Sequence, residues 1–421
     1  MAAAFTYRSR IADRLVEEAL AALGAVVIEG PRACGKTETA RQHVASEVLL
    51  DVDPQARAAA AIDPALVLDG PTPRLLDEWQ REPRLWDSVR RAVDARGLPG
   101  QFVLTGSARP TDDVPRHSGA GRFAMVHMRP MTLFEQGYST GAVSLGTLLD
   151  GAPAASGRCG LGLRDYVERV VVGGWPGLLG RSEKDASVFV RGWLDGIVEH
   201  DLEMASGARR DPEMVRRFLR AYAQLVAHPV PLSKIIERAR QEQADVDAPS
   251  RWAADPYLEA LRRLMVVDEV EAWNVTLRSR ARLMSVPKRH LVDASLAAAL
   301  MDCAPERLLG DLNTLGYLFE SLATRDVRVY AQANHASVFH YRERGGELEV
   351  DVVVERRDGE WAGFEVKLGG DLIDQAAAAL LRLAQTRVAL PPAALVVLTA
   401  TEYAYRRKDG VLVAPLGVLG P

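Results

Sequence analysis

Apolar residues recur at helical spacing between positions 11 and 23, at Ile11, Leu15, Ala19, Leu20 and Leu23, which predicts an amphipathic helix. The pattern then changes to short continuous runs. Ala25-Val26-Val27-Ile28 ends at Gly30, Val48-Leu49-Leu50 leads into Asp51-Val52-Asp53, Arg74-Leu75-Leu76 into Asp77-Glu78, and Phe102-Val103-Leu104 into Thr105-Gly106-Ser107. Short apolar strands separated by helical stretches argue for an α/β domain with a parallel sheet covered on both faces. The Gly-, Ala- and Ser-rich stretch from Gly141 to Gly162 is the best candidate for a boundary. Beyond it, residues 163–225 read as mostly helical, broken at Gly173-Gly174-Trp175-Pro176. Residues 231–290 give two helices and then two apolar strands, around Val266–Val270 and Leu283–Val286, the outline of a winged helix. The last stretch, from near residue 310, runs helix, three strands, helix, strand. The domains predicted on this basis are 1–145, 160–225, 226–295 and 296–421.

The composition is that of a globular protein, with 48% hydrophobic and 26% charged residues. A formal net charge of −4 excludes a polybasic chain, so any nucleic-acid binding must come from local patches. The cysteines, Cys34, Cys159 and Cys303, lack metal-ligand spacing and suit reduced thiols better than a disulfide framework. With no apolar run approaching about 18 residues, and no signal-peptide pattern at the N-terminus, a cytoplasmic protein without a membrane partner is expected.

Gly30-Pro31-Arg32-Ala33-Cys34-Gly35-Lys36-Thr37 fits G-x-x-x-x-G-K-S/T in full and follows directly on an apolar strand. The spacing serves phosphate binding. Glycines let backbone N–H groups close around phosphate oxygens, and the following helix adds its positive N-terminal dipole. Lys36 is placed to reach the β- and γ-phosphates of ATP, and the Thr37 hydroxyl to hold Mg²⁺. Asp77, at the end of another strand, is the expected metal-holding acid, and Glu78 the base that polarises the attacking water. Ser107 stands at the end of a third strand, near the expected γ-phosphate. Arg122, in Gly121-Arg122-Phe123, is a candidate phosphate-sensing or trans-acting arginine, weighed against a surface ion pair.

In the C-terminal region, residues 347–367 predict two antiparallel strands joined through Arg357-Asp358-Gly359. Side chains alternate along a strand, so Glu365 and Lys367 share a face that Asp351 on the partner strand can join. Two carboxylates and a lysine converging in this way form the D…E-x-K pattern of PD-(D/E)XK nucleases. There the carboxylates hold a divalent metal that activates water, and the lysine assists the nucleophile. A hairpin with a merely solvated charged face is the bland alternative. Glu349 is a second candidate acid on the same face.

These residues together resemble a large prokaryotic family of AAA-type ATPases that carries a C-terminal domain of unknown function. The resemblance rests on Tyr7-Arg8, the G-P-R-x-x-G-K-T loop, D-E-W-Q at 77–80, L-T-G-S at 104–107, G-R at 121–122, G-G-W-P at 173–176 and E-V-K at 365–367. It implies an AAA-type P-loop domain, a helical and winged-helix middle region and a restriction-endonuclease-like, PD-(D/E)XK-like α/β C-terminal domain. Glu320, on the helix before the hairpin, resembles the extra helix acid of such nucleases and joins Asp351 and Glu365 as an expected metal ligand. Departures are Glu38 and Trp79, which remove no phosphate or metal group, and Val350 in place of the motif's proline. The expected cofactors are ATP and Mg²⁺, with Mn²⁺ as an alternative at the C-terminal site. DNA and a homo-oligomer are the expected macromolecular partners. Two functions follow: an ATP-driven enzyme that cuts DNA, or a nucleotide-controlled switch whose C-terminal domain binds nucleic acid without cutting it.

Overall fold

The computed structural model describes residues 6–108, 118–152, 156–206, 211–241, 251–275, 286–343 and 345–421. The N-terminal sheet comprises β1 (Ala25–Glu29), β2 (Ser46–Leu49), β3 (Arg74–Asp77), β4 (Phe102–Gly106) and β5 (Phe123–His127), in the order β2-β3-β4-β1-β5. Each of its strand pairs is parallel. Both faces are covered, which is why these strands read as unbroken apolar runs. Val26, Ile28, Leu75 and Val103 pack with Ala12 and Val16 of the helix Ile11–Ala22. Ala25, Val27, Leu76 and Leu104 pack with Ala60, Val89 and Val93 of the helices Pro54–Ile62 and Leu85–Arg96.

The stretch expected as a boundary pairs, through two short segments, with strands of the C-terminal unit. Its β6 (Val143–Ser144) pairs in parallel with the last strand, β14 (Leu419–Gly420), and its β7 (Gly157–Arg158) lies antiparallel to β12 (Tyr403–Arg406). Composition signals loops, and here the loops lie along a sheet edge that the sequence order hides.

The C-terminal sheet has the order β7-β12-β13-β11-β10-β9-β8. Its remaining strands are β8 (Ser337–Arg342), β9 (Glu349–Glu355), β10 (Trp361–Lys367), β11 (Ala394–Thr399) and β13 (Leu412–Pro415). The predicted hairpin forms, with Trp361 opposite Glu355 and Phe364 opposite Val352. Val352, Val354, Phe364 and Val366 share a core with Leu315, Leu318, Phe319 and Leu322 of the long helix Leu312–Ala333. Val353, Trp361 and Val397 share another with Ala377 and Leu380 of the helix Ile373–Thr386.

Between the two sheets lie the helices Leu163–Val172, Glu183–Gly196, Pro212–Ala223, Leu232–Gln241, Arg251–Arg263 and Ala294–Leu300. Residues 266–270 meet 288–292 in a short antiparallel ribbon: Val270 and Lys288 exchange backbone hydrogen bonds of 3.0 and 2.8 Å, and Val292 N donates to Val266 O at 2.9 Å. Residues 283–285 of the strand expected at Leu283–Val286 lie outside the described residues, and the return side of the ribbon is 288–292. Its register is set by side chains that reach other units. Arg129 at the end of the N-terminal sheet donates to Asp268 at 2.6 and 3.0 Å, and Arg328 of the long helix approaches the same carboxylate at 3.1 Å.

The deepest charges sit at the junction of all three units. The Arg325 guanidinium donates to Asp293 at 2.7 Å and to Asp326 at 2.7 and 2.9 Å, all three side chains being at most 2% exposed. Asp293 also accepts from Gly174 N at 3.0 Å and Ser295 N at 2.9 Å, and Asp326 from Leu133 N at 2.9 Å. Removing one member of such a network leaves unpaired buried charge. Arg325→Met is therefore expected to lower stability by about 3–5 kcal/mol, read as a fall in the urea midpoint followed by near-UV circular dichroism. A fall no larger than that of Arg191→Met, whose ion pair with Asp302 is exposed, would mean that these charges are solvated.

Candidate functional site

The loop between β1 and the helix Lys36–Arg41 turns through two left-handed residues, Ala33 at φ 62° and Gly35 at φ 101°. Gly30 is needed for a different reason: a Cβ there would lie 2.4 Å from the Met128 carbonyl oxygen. Arg10, which the sequence reading passed over, braces the loop from below. It is buried, pairs with Glu135 at 3.0 Å, and donates to the Cys34 carbonyl at 2.7 Å and the Arg129 carbonyl at 2.8 Å. Cys34 is fully buried, in keeping with packing. Nothing local marks Arg10, since its partners are more than 20 residues away.

Parallel pairing brings the C-terminal ends of β1, β3 and β4 to one edge, with Lys36, Thr37, Asp77, Glu78 and Ser107 beside one another. The Thr37 hydroxyl donates to Asp77 at 2.8 Å, and Thr105 donates to the same oxygen. Burial raises the Asp77 carboxyl, outweighing those two hydrogen bonds, with Glu78 and Asp51 adding to the rise. A hydroxyl and a buried carboxylate side by side form the oxygen donor set that Mg²⁺ takes. Lys36 Nζ donates to the Pro31 carbonyl at 2.9 Å. Glu78 adopts φ 53°, ψ 44°, a conformation that costs a non-glycine residue roughly 1–2 kcal/mol. Ser107 donates to its carboxylate at 2.7 Å, and Gln80 donates to the other oxygen. Strain held by two side-chain bonds is a feature of functional positions.

These groups open into a cleft of about 440 Å³, lined on one side by Arg32, Lys36, Thr37, Glu78, Arg81 and Ser107. That volume falls in the usual range for a small-molecule site. Pro176, Gly177 and Phe189 from the helical middle unit also line the cleft. The same unit ties down the loop: Trp193 donates to the Arg32 carbonyl at 3.1 Å, and Arg32 pairs with Asp201 at 2.8 Å. Arg81 is a further missed residue, although it lies one position beyond the D-E-W-Q motif.

Arg122 stands apart from this cleft. It precedes β5 at the edge where Ala25 pairs with Phe123, whereas the phosphate loop leaves the sheet at the Glu29–His127 edge. It pairs with Asp94 at 2.8 Å. A phosphate-sensing role within its own chain is therefore corrected to a surface ion pair. Near residues 216–222, where basic and aromatic residues are interspersed, Phe218 and Tyr222 are core and Arg216 pairs with Asp195 and Glu199. Arg209 and Arg210 lie outside the described residues, as does the Arg251 side chain. Arg262 and Arg263 pair with Glu269 and Glu259.

The C-terminal residues do converge. Lys367 Nζ lies 3.1 Å from Asp351 and 2.6 Å from Glu365, and Val366 N donates to Asp351 at 3.0 Å. The unexpected member is Lys288, from the middle ribbon. Its ammonium lies 2.7 Å from Glu320, 3.1 Å from Asp351 and 3.6 Å from Glu349. Burial alone would raise the Asp351 carboxyl, but Lys288 and Lys367 hold it well below the usual carboxylate range. Burial and the neighbouring Asp351 charge push Glu365 up to about 8 and Glu320 up to about 7. The expectation of a metal among Glu320, Asp351 and Glu365 thus meets two lysines, Lys288 between Glu320 and Asp351 and Lys367 between Asp351 and Glu365. Among the described residues no group of three or more His, Cys, Asp or Glu is spaced to hold a metal ion. Also among them, no helix is long and apolar enough to cross a membrane.

Comparison with known proteins bears on all three units. The chain is 27% identical over 346 residues to uncharacterized proteins of Mycobacterium bovis and Mycobacterium tuberculosis, an alignment that covers 81% of this chain and 70% of each of theirs. Residues 163–307 match the family described as a domain of unknown function (DUF8612), and residues 315–419 a second one (DUF4143). Residues 23–136, which include the phosphate loop and the Asp77-Glu78 pair, match the family described as an AAA domain, so the chain carries a P-loop ATPase-like AAA domain.

Proposed function

We propose that this protein is an ATP-hydrolysing P-loop ATPase that acts as a nucleotide-controlled switch, with nucleic acid as the partner of its C-terminal unit. One observation carries the reading: part of the lining of the nucleotide cleft belongs to the middle unit, and its turn is wired onward. Gly174, two residues before Pro176, donates to Asp293, which Arg325 of the C-terminal long helix also holds. Trp175 donates to Ser295 at 3.0 Å. A phosphate group in the cleft would lie beside a turn that Met131 N bonds to the N-terminal unit and that Asp293 links to Arg325 of the C-terminal unit.

In this reading Lys36 leaves the Pro31 carbonyl to bind the β- and γ-phosphates, while the loop N–H groups cradle them. Thr37 and Asp77 would hold Mg²⁺, which when bound would supply positive charge against the phosphate oxygens. Glu78 takes the proton of the attacking water, Ser107 and Gln80 keeping its carboxylate aimed. Arg81 and Arg32 face the cleft as further phosphate-binding cations. On the C-terminal unit, the exposed Tyr403 and Tyr405 beside Arg406 and Lys408 supply stacking and charge of the kind that grips nucleic acid.

A second reading, a Mg²⁺- or Mn²⁺-dependent DNA nuclease of the PD-(D/E)XK kind, is favoured by the convergence of Asp351, Glu365 and Lys367. Against it stands Lys288.

Lys36→Ala is expected to abolish binding of a fluorescent ATP analogue without loss of fold; tight binding by this variant would place the nucleotide elsewhere. Glu78→Gln is expected to keep that binding and lose hydrolysis by roughly 10²–10⁴-fold, measured as phosphate release. ATP bound to Glu78→Gln should alter hydrogen exchange in residues 173–176 and 288–293; exchange there that ignores ATP removes the switch. Wild-type protein incubated with plasmid, linear and single-stranded DNA, with Mg²⁺ or Mn²⁺ and with or without ATP, should leave the DNA intact. Cleavage that disappears in Asp351→Ala and Lys367→Ala selects the nuclease instead.

A further inference from the structure

The C-terminal cluster gathers four carboxylates, Glu320, Glu349, Asp351 and Glu365, around two ammonium groups, Lys288 and Lys367. Lys367 belongs to the strand that carries Glu365 and is 24% exposed at its side chain, whereas the Lys288 side chain is 1% exposed. A lysine buried that deeply is rare unless its charge is fully met. Its backbone is fixed too, by the paired hydrogen bonds to Val270 and by a bridge to Pro229. The ribbon that presents it is anchored on the C-terminal sheet, where Trp273 N donates to the His340 carbonyl at 2.6 Å and His340 N to the Glu271 carbonyl at 2.9 Å.

We propose that the Lys288 ammonium is the built-in cation of this cluster, taking the place a divalent ion holds in a carboxylate site, so that the wild-type site stays free of metal. The geometry supports it in two ways. Glu320 and Asp351 aim oxygens at Nζ at 2.7 and 3.1 Å, so a divalent ion drawing on the same oxygens at roughly 2.0–2.6 Å would overlap the ammonium. The lysine also comes from a different unit than the carboxylates, 32 residues before Glu320 and 63 before Asp351. It therefore acts as a clamp between the middle and C-terminal units, which a metal held by the sheet alone is not. Loss of its charge leaves mutually repelling carboxylates with one ammonium, and a hard divalent cation is what relieves such a set. The proposal deepens the switch reading by naming what the ribbon holds closed. Its test needs no nucleotide, so it fails separately from that reading.

The test is Mn²⁺ binding to the full chain without ATP, measured by calorimetry and by electron paramagnetic resonance of free Mn²⁺. Wild-type protein is expected to bind no ion that Asp351→Asn removes. Lys288→Met is expected to bind one additional ion, lost again in Lys288→Met/Asp351→Asn, and Lys288→Arg to bind none. Should Lys288→Met not fold, Lys288→Met/Glu349→Gln, which leaves the cluster's net charge unchanged, takes the same measurement with the same expectation. An Asp351-dependent ion in the wild type overturns the proposal, as does a folded Lys288→Met or Lys288→Met/Glu349→Gln chain that gains no ion.

Discussion

A guanidinium buried between two carboxylates organises this molecule. Arg325 lies in the long C-terminal helix, Asp293 just before the helix Ala294–Leu300, and Asp326 beside Arg325 itself. Burying three charges is unfavourable unless every donor and acceptor is met. Here the remaining acceptor capacity is taken up by backbone N–H groups of Gly174, Leu133 and Ser295. Those three amides come from the middle turn, from the chain leaving the N-terminal sheet, and from the helix after the ribbon. One ionic centre thus fixes how the units meet. Gly174 has no room for a side chain, since a Cβ would lie 2.2 Å from the Met131 carbonyl oxygen.

The nucleotide cleft inherits its shape from that centre. Pro176 and Phe189 face the phosphate loop because the turn before them is bonded to Asp293 and Ser295. Within the N-terminal unit the chemistry is more local: parallel strands end together, and the loops leaving them deliver Lys36, Asp77 and Glu78 to one edge. The strained backbone of Glu78 is tolerated there because its carboxylate is held by Ser107 and Gln80, and its own N–H approaches Thr105 at 3.3 Å.

The two lysine-bearing sites differ in what their lysines meet. Lys36 rests on a neutral carbonyl and is free to exchange it for a phosphate. Lys288 is surrounded by carboxylates that hold it charged against the cost of burial. A segment of six residues, 288–293, runs from the second site to the ionic centre, Lys288 at one end and Asp293 at the other.

Much of this was legible from residue order because it depends on nearest neighbours. The phosphate loop rests on glycine at its turns, the strands around it and the Asp77-Glu78 pair on short apolar runs, and the β9–β10 hairpin on alternation with glycine at its turn. The convergence of Asp351, Glu365 and Lys367 followed from strand alternation alone. What the sequence did not reveal were partners brought together across long separations. Arg10 braces Cys34 and Glu135, Arg122 stands at the end of the sheet away from the loop, residues 143–144 and 157–158 pair with C-terminal strands, and Lys288 enters a carboxylate cluster from another unit. Hydrophobic spacing reports which face of an element is buried, but not which element covers it. The charges that decide this protein's inter-unit contacts therefore became visible only once the tertiary structure had set them side by side.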